Sequence, residues 1–596
     1  MPKSVTSDDS SYEKLYERAM ERLRLQAPWW THTEVSDPGI MLIEMWALLS
    51  DMQSYYLDQV QESHYRKYLK LLGIPADQGE CAWTWIFFDF EEEAAGEEHI
   101  VPKGTKLLSD EMVFETEEEI RLIHNGLQGF FPGTADNRAD AMRLFRKTRF
   151  ELGGGKGQER ELFRFEMERP LEPGKDFRFF VLLDERGKRN AAEGSGMVRL
   201  VWEYMTADGW RKAEAVRDDT AGLLFSGIII LRFDPSMNVQ KSGITAVRCR
   251  IGNGCYDVMP ALYKICLNVV RVVQRDTLCC SEDVEFTESC HTVALDSYLA
   301  RTGSLWFLRE VEGISEQAED GGKLWEDITE NVCADGPIRA GCMERYVSYA
   351  GTGHVKIVCT AARIPLEEIT KRVTGIASQR ISLPWKKLMR SSVELMVRQA
   401  GYRKKRYCSY ERVDPEENRY QNVWHWEEDE NVIVLGDGRH GGIPSASEGG
   451  LRLVSLSLWE EEKGNVPVDR ITEWQQPELF PQITCTNYLA GRGGRSRKMP
   501  SCQFAGIKEE LSRQNRMVTE ADIRELVMET PGLMIKKVMA EWHDNTVVVK
   551  VFPTYPLKEE YCVEWYRSQV EKHLEPYRLT GTKLRVRIET GGTGWS

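Results

Sequence analysis

Residues 37–75 limit what this chain can fold into more than any other stretch. Asp37-Pro38-Gly39-Ile40-Met41-Leu42-Ile43-Glu44-Met45-Trp46 runs on to Leu71-Leu72-Gly73-Ile74-Pro75. The segment has marked helix ends. Asp37 suits an N-cap, and Pro38 suits the first helical position, where its missing N–H would be unpaired anyway. Gly73 supplies a left-handed closing residue, Ile74 folds back on Leu69, and Pro75 forbids continuation. Between them Leu42, Met45, Leu49, Met52, Tyr56 and Val60 recur at alternating steps of three and four, with Trp46 beside them. That is the seam of a helix packed lengthwise on others. The first turns are apolar almost all round, broken only by Glu44, so neighbours are needed on more than one side. A single helix would be roughly 50 Å long at about 1.5 Å per residue; a break near Glu62-Ser63, with Ser63 as a second cap, fits equally well. An ordinary core hairpin explains the pattern as well as a bundle between subunits does.

The order Asp-Pro-Gly, apolar helix with an embedded Glu, Tyr55-Tyr56, then Tyr68-Leu69-Lys70-Leu71-Leu72-Gly73-Ile74-Pro75 resembles the N-terminal signature of baseplate J-like proteins. These are wedge components of contractile phage tails and related injection systems.

At 596 residues the chain is too long for one core, and about three to five domains are expected. No apolar run reaches the ~18 residues needed to span a bilayer, and Met1–Ser11 carry no secretory pattern. A formal charge of −15 argues against nucleic acid as the main partner. The 14 cysteines are scattered without a C-x-x-C pair, and the adjacent Cys279-Cys280 suit neither zinc nor an easy disulfide. Reduced, mostly buried thiols are expected.

Residues 12–26 carry a helical stripe (Tyr12, Leu15, Ala19, Met20, Leu23), and Pro28-Trp29-Trp30 ends it. From Cys81 the period changes to that of strands: Trp83, Trp85, Phe87 and Phe88. An acidic turn (Glu91–Glu98) then leads to Pro102-Lys103-Gly104-Thr105 and Met112-Val113-Phe114-Glu115-Thr116, which again resemble the start of the family's β-rich body. Gly153-Gly154-Gly155-Lys156-Gly157 lacks the ending of a phosphate loop and reads as a connection. Val201-Trp202-Glu203-Tyr204, Trp210, Asp218-Asp219-Thr220, Ser226-Gly227 and Ile228–Phe233 are strands broken by polar turns, the grammar of a sandwich. Arg248-Cys249-Arg250, Tyr256, Pro260 and Leu267-Asn268 continue it, with Ile265–Val273 closing it. These words resemble the inserted domain of the longer wedge proteins. Trp306–Gly313 and Leu324-Trp325-Glu326 indicate a second β module. Arg403-Lys404-Lys405-Arg406 reads as a solvated face or as a contact with an acidic neighbour.

Gly436-Asp437-Gly438-Arg439-His440-Gly441-Gly442 and Gly464-Asn465-Val466-Pro467 follow. Asp437 with His440 is an incomplete catalytic or metal pair, and the glycines are explained as turn positions with positive φ. The pairing of these two loops is similar to a J-like hallmark, structural in that family. Thr486-Asn487 and Gly493-Gly494 come in the family's order, but Arg495-Ser496-Arg497-Lys498 stands where an acidic Glu-Ser segment is usual. At the end, Thr519 and Asp522 form a capping box. Two strands (Met534–Trp542, Thr546–Phe552), a helix (Leu557–Leu574) and a final strand (Lys583–Ile588) make a small α+β sandwich. Met517-Val518-Thr519 and Arg578-Leu579-Thr580-Gly581-Thr582 resemble the family's C-terminal domain.

The expected architecture is therefore multidomain α+β. It comprises an N-terminal helical segment (1–80), a β-rich core (81–130 and 426–480), an inserted sandwich (131–280), a second β module (281–425), and a linker with a C-terminal domain of helices on an antiparallel sheet (481–596). No zincin, hydrolase-elbow, P-loop or Rossmann motif is present, so no catalytic residue, metal or cofactor is expected. The resemblance implies a baseplate wedge subunit built into a particle after cytoplasmic assembly. It would form six-fold copies with a related wedge protein around the hub and spike, near sheath-proximal proteins, and couple target contact to sheath contraction. Leu42, Met45, Trp46, Leu49, Met52, Tyr56 and Val60 would form the inter-subunit bundle. Asp37, Pro38, Gly39, Gly73, Gly436, Asp437, Gly438, Gly464, Asn465 and Pro467 would be structural turns. A carbohydrate- or receptor-binding tail protein, or a polysaccharide-degrading one, is the alternative.

Overall fold

The computed structural model describes residues 12–589 except 33, 35, 59–61, 91–98, 134–137, 139, 141–147, 154–160, 173, 186–197, 207–208, 235–243, 312–322, 340–342, 414–421, 428–430, 513–515 and 558–559. Val60, the acidic turn Glu91–Glu98 and the Gly154–Gly157 part of the glycine loop lie outside the described residues. The chain divides into two units: residues 1–78 with 497–513, and residues 79–496 with 514–596.

The first unit is helical. Helices α1 (Tyr12–Gln26), α2 (Pro38–Asp58) and α3 (Glu62–Leu71) are joined by α4 (Pro500–Ser512), which arrives from far along the chain. The apolar stretch is thus two helices rather than one, and the second begins at Glu62, which places Ser63 inside its first turn rather than at its cap. Helix α4 lies in what the sequence presents as a linker. It packs on α3 through Phe504, whose ring centroid is 5.7 Å from that of Tyr65 and 5.8 Å from that of Tyr68. Its N-terminus is met by an anion, as a helix dipole favours: Glu62 Oε2 accepts the Ser501 N–H at 3.0 Å. Gln503 bridges to the loop after α3, accepting the Asp77 N–H and donating to the Pro75 carbonyl.

The second unit is built by nested insertion. Its central sheet runs in the order Glu473–Trp474, Lys106–Ser109, Met112–Thr116, Val269–Gln274, Trp83–Phe90, Ile483–Thr486. Val269–Gln274 pairs with both Trp83–Phe90 and Met112–Thr116, so it belongs to this core and not to the sandwich that it follows in sequence. The words read from the sequence are turn locks here. Gly104 sits at φ 80°, and the buried Thr105 and Thr116 hydroxyls both donate to the Pro102 carbonyl. Asn268, where the chain returns to the core, holds φ 55°, a conformation that Asn tolerates better than most residues. Its side chain accepts the Ile123 N–H at 2.7 Å and donates to the Ile123 carbonyl at 2.9 Å. Replacing Asn268 with leucine is expected to cost about 2–3 kcal/mol, from two lost hydrogen bonds and a strained φ. A denaturant titration followed by tryptophan fluorescence would read this.

Between the outgoing and returning strands hang two five-stranded antiparallel sheets, face to face. Phe163, Phe165, Phe177, Phe179, Trp202 and Phe233 fill the space between them. Asp218-Asp219-Thr220 is a turn lock: the Asp218 carboxylate accepts the Thr220 N–H at 2.8 Å, and Thr220 Oγ1 accepts the Leu223 N–H at 2.9 Å.

The second module extends beyond its sequence-based bounds. Val432–Leu435 and Ser447–Leu458, expected in the core, lie in its sheet, because the long Ser447–Leu458 strand pairs with Asp276–Phe286, Glu394–Gln399 and Thr370–Val373 in turn. Leu324–Asp327 pairs with both Ser304–Glu310 and Arg406–Arg412, which closes seven strands into a ring. Trp306, Leu308, Trp325, Val358, Met396, Tyr407 and Val454 pack together as a separate apolar cluster drawn from these strands. The basic run 403–406 meets an acid of its own chain. Lys404 donates to the buried Glu326 at 2.6 Å, with Arg406 at 3.5 Å. Burial opposes the Glu326 charge, but these cations and Arg309 outweigh it and hold the carboxyl below its ordinary range.

The C-terminal domain packs α5 (Glu520–Met528) and α6 (Glu560–Leu574) on a three-stranded sheet. The Thr519–Asp522 capping box is present. The sheet is mixed rather than antiparallel throughout: Thr546–Pro553 and Lys583–Ile588 run parallel, since α6 is a crossover that carries the chain back before the last strand.

Candidate functional site: an uncovered apolar helix face

Helix α2 starts as its sequence demands. Asp37 Oδ1 accepts the Gly39 N–H at 2.7 Å and the Ile40 N–H at 3.4 Å, with Pro38 as the first helical residue. At Gly39 a Cβ would lie 2.0 Å from the Trp30 ring, so any other residue there would displace that side chain. At the end of α3, the Ile74 N–H donates to Leu69 O and the Gly73 N–H to Lys70 O, each at 2.9 Å. Gly73 sits at φ 72°, completing a Schellman closure.

The helix is turned opposite to a self-sufficient hairpin. The line of α2 covered by its own chain runs through Ile40 and Ala47, both buried, and then Ser50, Asp51 and Ser54, half-buried. Helix α1 packs against α2. The large side chains point the other way: Leu42 is 53% exposed, Met45 46%, Trp46 66%, Leu49 43%, Met52 45% and Tyr56 66%. Met41 and Leu48 widen the stripe, and Leu25, Trp29 and Leu71 are also exposed in this unit. Contiguous apolar surface of this kind marks an interaction site, and each such side chain contributes about 1.5–3 kcal/mol when fully buried.

The other sequence-marked residues are turns. Gly436 packs so closely that a Cβ would meet the Gly441–Gly442 backbone at 2.5–2.7 Å, and Gly438 holds φ 89°. Asp437 Oδ1 accepts the Arg439 and His440 N–H groups at 2.7 and 2.6 Å, and Oδ2 lies 3.1 Å from His440 Nδ1. The His440 backbone N–H, then its ring and the Arg439 N–H, hold this carboxyl well below the usual range. It is therefore a fixed acceptor inside its own turn, a poor proton carrier near neutral pH. A Cβ on Gly464 would press on Ala82 and Gln274. Asn465 mimics a strand, donating to Gly494 O at 2.8 Å and accepting the Gly494 N–H at 2.9 Å. Pro467 O accepts the Asn487 amide at 2.8 Å.

Two features were missed by sequence reasoning. Asn487, fully buried, uses both ends of its amide: it accepts from Arg470 N and Ile471 N and donates to Pro467 O and Leu489 O. Lys106 is also buried, and its ammonium donates to Asp276 Oδ1 at 2.6 Å and Thr277 O at 2.7 Å, 3.8 Å from Glu115. The Thr-Asn word pointed to the first. A lysine opening an apolar strand was the available signal for the second.

Among the described residues no three His, Cys, Asp or Glu side chains are grouped to hold a metal, and no helix is long and apolar enough to cross a membrane. A cleft of about 530 Å³ is lined by Trp83, Trp85, Asp184, Glu185 and Arg492. Guanidiniums of Arg271 and Arg492 lie over the Trp83 ring at 4.2 and 4.3 Å, so this ring offers no open face to a sugar. The exposed tryptophans among the described residues, Trp29, Trp30 and Trp46, all belong to the helical unit.

Residues 11–67, which contain the apolar stripe, match the family described as bacteriophage baseplate protein, N-terminal domain. No curated protein matches the chain. Among solved structures, a chain of the type VI secretion system TssK-TssF-TssG baseplate subcomplex aligns at 7% identity and TM-score 0.38, covering 92% of this chain and 96% of that one. A chain of the anti-feeding prophage baseplate aligns at 8% identity and TM-score 0.31, covering 96% of this chain and 70% of that one.

Proposed function

We propose that this chain is a structural wedge subunit of the baseplate of a contractile phage tail or injection system, of the J-like kind that its motifs resemble. The observation that carries the reading is the outward apolar stripe of α2, set within the segment that matches a baseplate N-terminal domain. Leu42, Met45, Trp46, Leu49, Met52 and Tyr56 form the inter-subunit bundle. Copies of the chain, each with a related second wedge protein, ring the central hub and spike in six-fold array and meet the sheath-proximal baseplate proteins. Target contact is passed to the sheath by repacking of these interfaces, between arrangements a few kcal/mol apart, with no bond-making step.

The test is Leu49→Asp with Met52→Asp. Both side chains are exposed in the chain itself, so circular dichroism and the melting of the β body should not change. Association with the co-expressed wedge partner should weaken at least about 100-fold, from some 3–6 kcal/mol of lost burial. Undiminished co-purification of the double variant would remove the basis of the proposal.

A further inference from the structure

The expectation of reduced thiols throughout fails at one place. Cys255, at the end of the long Ile244–Gly254 strand of the sandwich, is bonded to Cys562 in the first turn of α6, 307 residues away. Their Cα atoms are 5.5 Å apart, well inside the range a disulfide spans. The approach does not depend on sulfur. Tyr561 Oη donates to Asn253 Oδ1 at 3.2 Å, and Asp257 Oδ2 accepts the Met534 N–H at 2.9 Å. The buried side chains of the sandwich and of the C-terminal domain also form one apolar cluster. Polar contacts and packing thus bring the two cysteines together in the folded chain.

We propose that Cys255 and Cys562 form an oxidisable clasp, open under reducing conditions and closed by a small-molecule disulfide, that fixes the C-terminal domain to the inserted sandwich. The chemistry is ordinary exchange. One cysteine thiolate attacks a sulfur of the small disulfide and expels its thiolate, and the second cysteine then displaces the other half. Two protein thiols are oxidised, one small disulfide is reduced to two thiols, and two protons leave the cysteines. Both cysteines are half-buried, within reach of a small reagent. Several of the buried thiols are poorly placed for the same reaction. Burial pushes Cys266 and Cys485 up to about 12 and Cys279 to about 11, which keeps them protonated. Cys280 and Cys359 face each other across paired strands, but the contact with Cys280 and then burial raise the Cys359 thiol well above normal. Cys290, Cys333 and Cys502 are exposed and free, so the reagent reaches them too, and the clasp is told from their adducts by its Cys255–Cys562 cross-link. The inference is independent of the baseplate reading. Its consequence is a domain contact that stays adjustable while the chain is kept reduced and becomes permanent on oxidation.

The full-length chain, purified with dithiothreitol, would be incubated with oxidised glutathione and mapped as peptides without reduction. The expected product is a Cys255–Cys562 cross-linked peptide, with Cys280 and Cys359 still free. Hydrogen exchange of α6 should accelerate at least about tenfold when dithiothreitol is restored, since the cross-link limits local opening. Cys562→Ser should exchange at the reduced rate in either condition. Persistent free thiols or glutathione adducts at Cys255 and Cys562 would overturn the proposal. So would identical exchange in the oxidised, reduced and Cys562→Ser proteins.

Discussion

Replacing Lys106 with methionine is expected to destabilise the β body by about 3–5 kcal/mol, the cost of leaving a buried charge without its partner. The methionine fills the volume, so the loss is electrostatic. The ammonium is what holds Asp276 and the Thr277 carbonyl where the chain leaves the core sheet for the second module. Glu115 would keep the Arg275 guanidinium at 3.0 Å and the Thr277 N–H at 2.6 Å. Among the described residues, Asp276 would keep the half-exposed Arg363 as its ion-pair partner. Adding Asp276→Asn to the methionine variant should therefore recover part of the loss, a coupling that a double-mutant cycle reads directly. Chemical denaturation of the four proteins, followed by tryptophan emission, would check this. Equal, additive losses for the two substitutions would show that the junction is not organised by this charge pair.

Asn487→Ala is expected to cost a similar amount, about 3–5 kcal/mol, because it removes all four hydrogen bonds made by a fully buried amide. Asn487→Asp separates the two halves of the amide. The carboxylate can still accept from Arg470 N and Ile471 N, but it faces the Pro467 and Leu489 carbonyls with a negative charge. Burial beside those carbonyls raises the aspartate pKa in the folded chain above its unfolded value. The folded state then binds the proton more tightly, so the variant is most stable at low pH and loses stability as pH rises through the folded-state pKa. Denaturation midpoints at pH 5 and pH 8 should differ for Asn487→Asp relative to the parent and not for Asn487→Ala. The same shift in both variants would contradict this assignment of the amide.

The ends of elements were legible because they are set by local chemistry. Asp37, Gly73, Thr519 with Asp522, and the Gly-Asp-Gly turn each act within a few residues of themselves. The partners of strands were not. Val269–Gln274 reads as the close of the sandwich because its own sequence holds nothing about Trp83–Phe90, nearly two hundred residues earlier, and Ser447–Leu458 serves three partners that no local pattern names. The pairing of α4 with α3 and that of Cys255 with Cys562 were invisible for the same reason. At the candidate site the spacing of Leu42, Met45, Leu49, Met52 and Tyr56 was plain, but spacing cannot say which side of an almost wholly apolar helix is covered. The structure shows that Ala47, Ser50, Asp51 and Ser54 lie on the covered side.

The helical unit draws on both sides of the body in sequence: residues 1–78 close only when 497–513 arrive. At about 5–20 residues per second, the intervening segment keeps α3 without its mate for roughly 20–80 s of synthesis. The greasy helix beside it is on show for the whole of that time. A newborn chain of this design should be a ready client for holding chaperones, and it should meet its permanent neighbours only after leaving the ribosome.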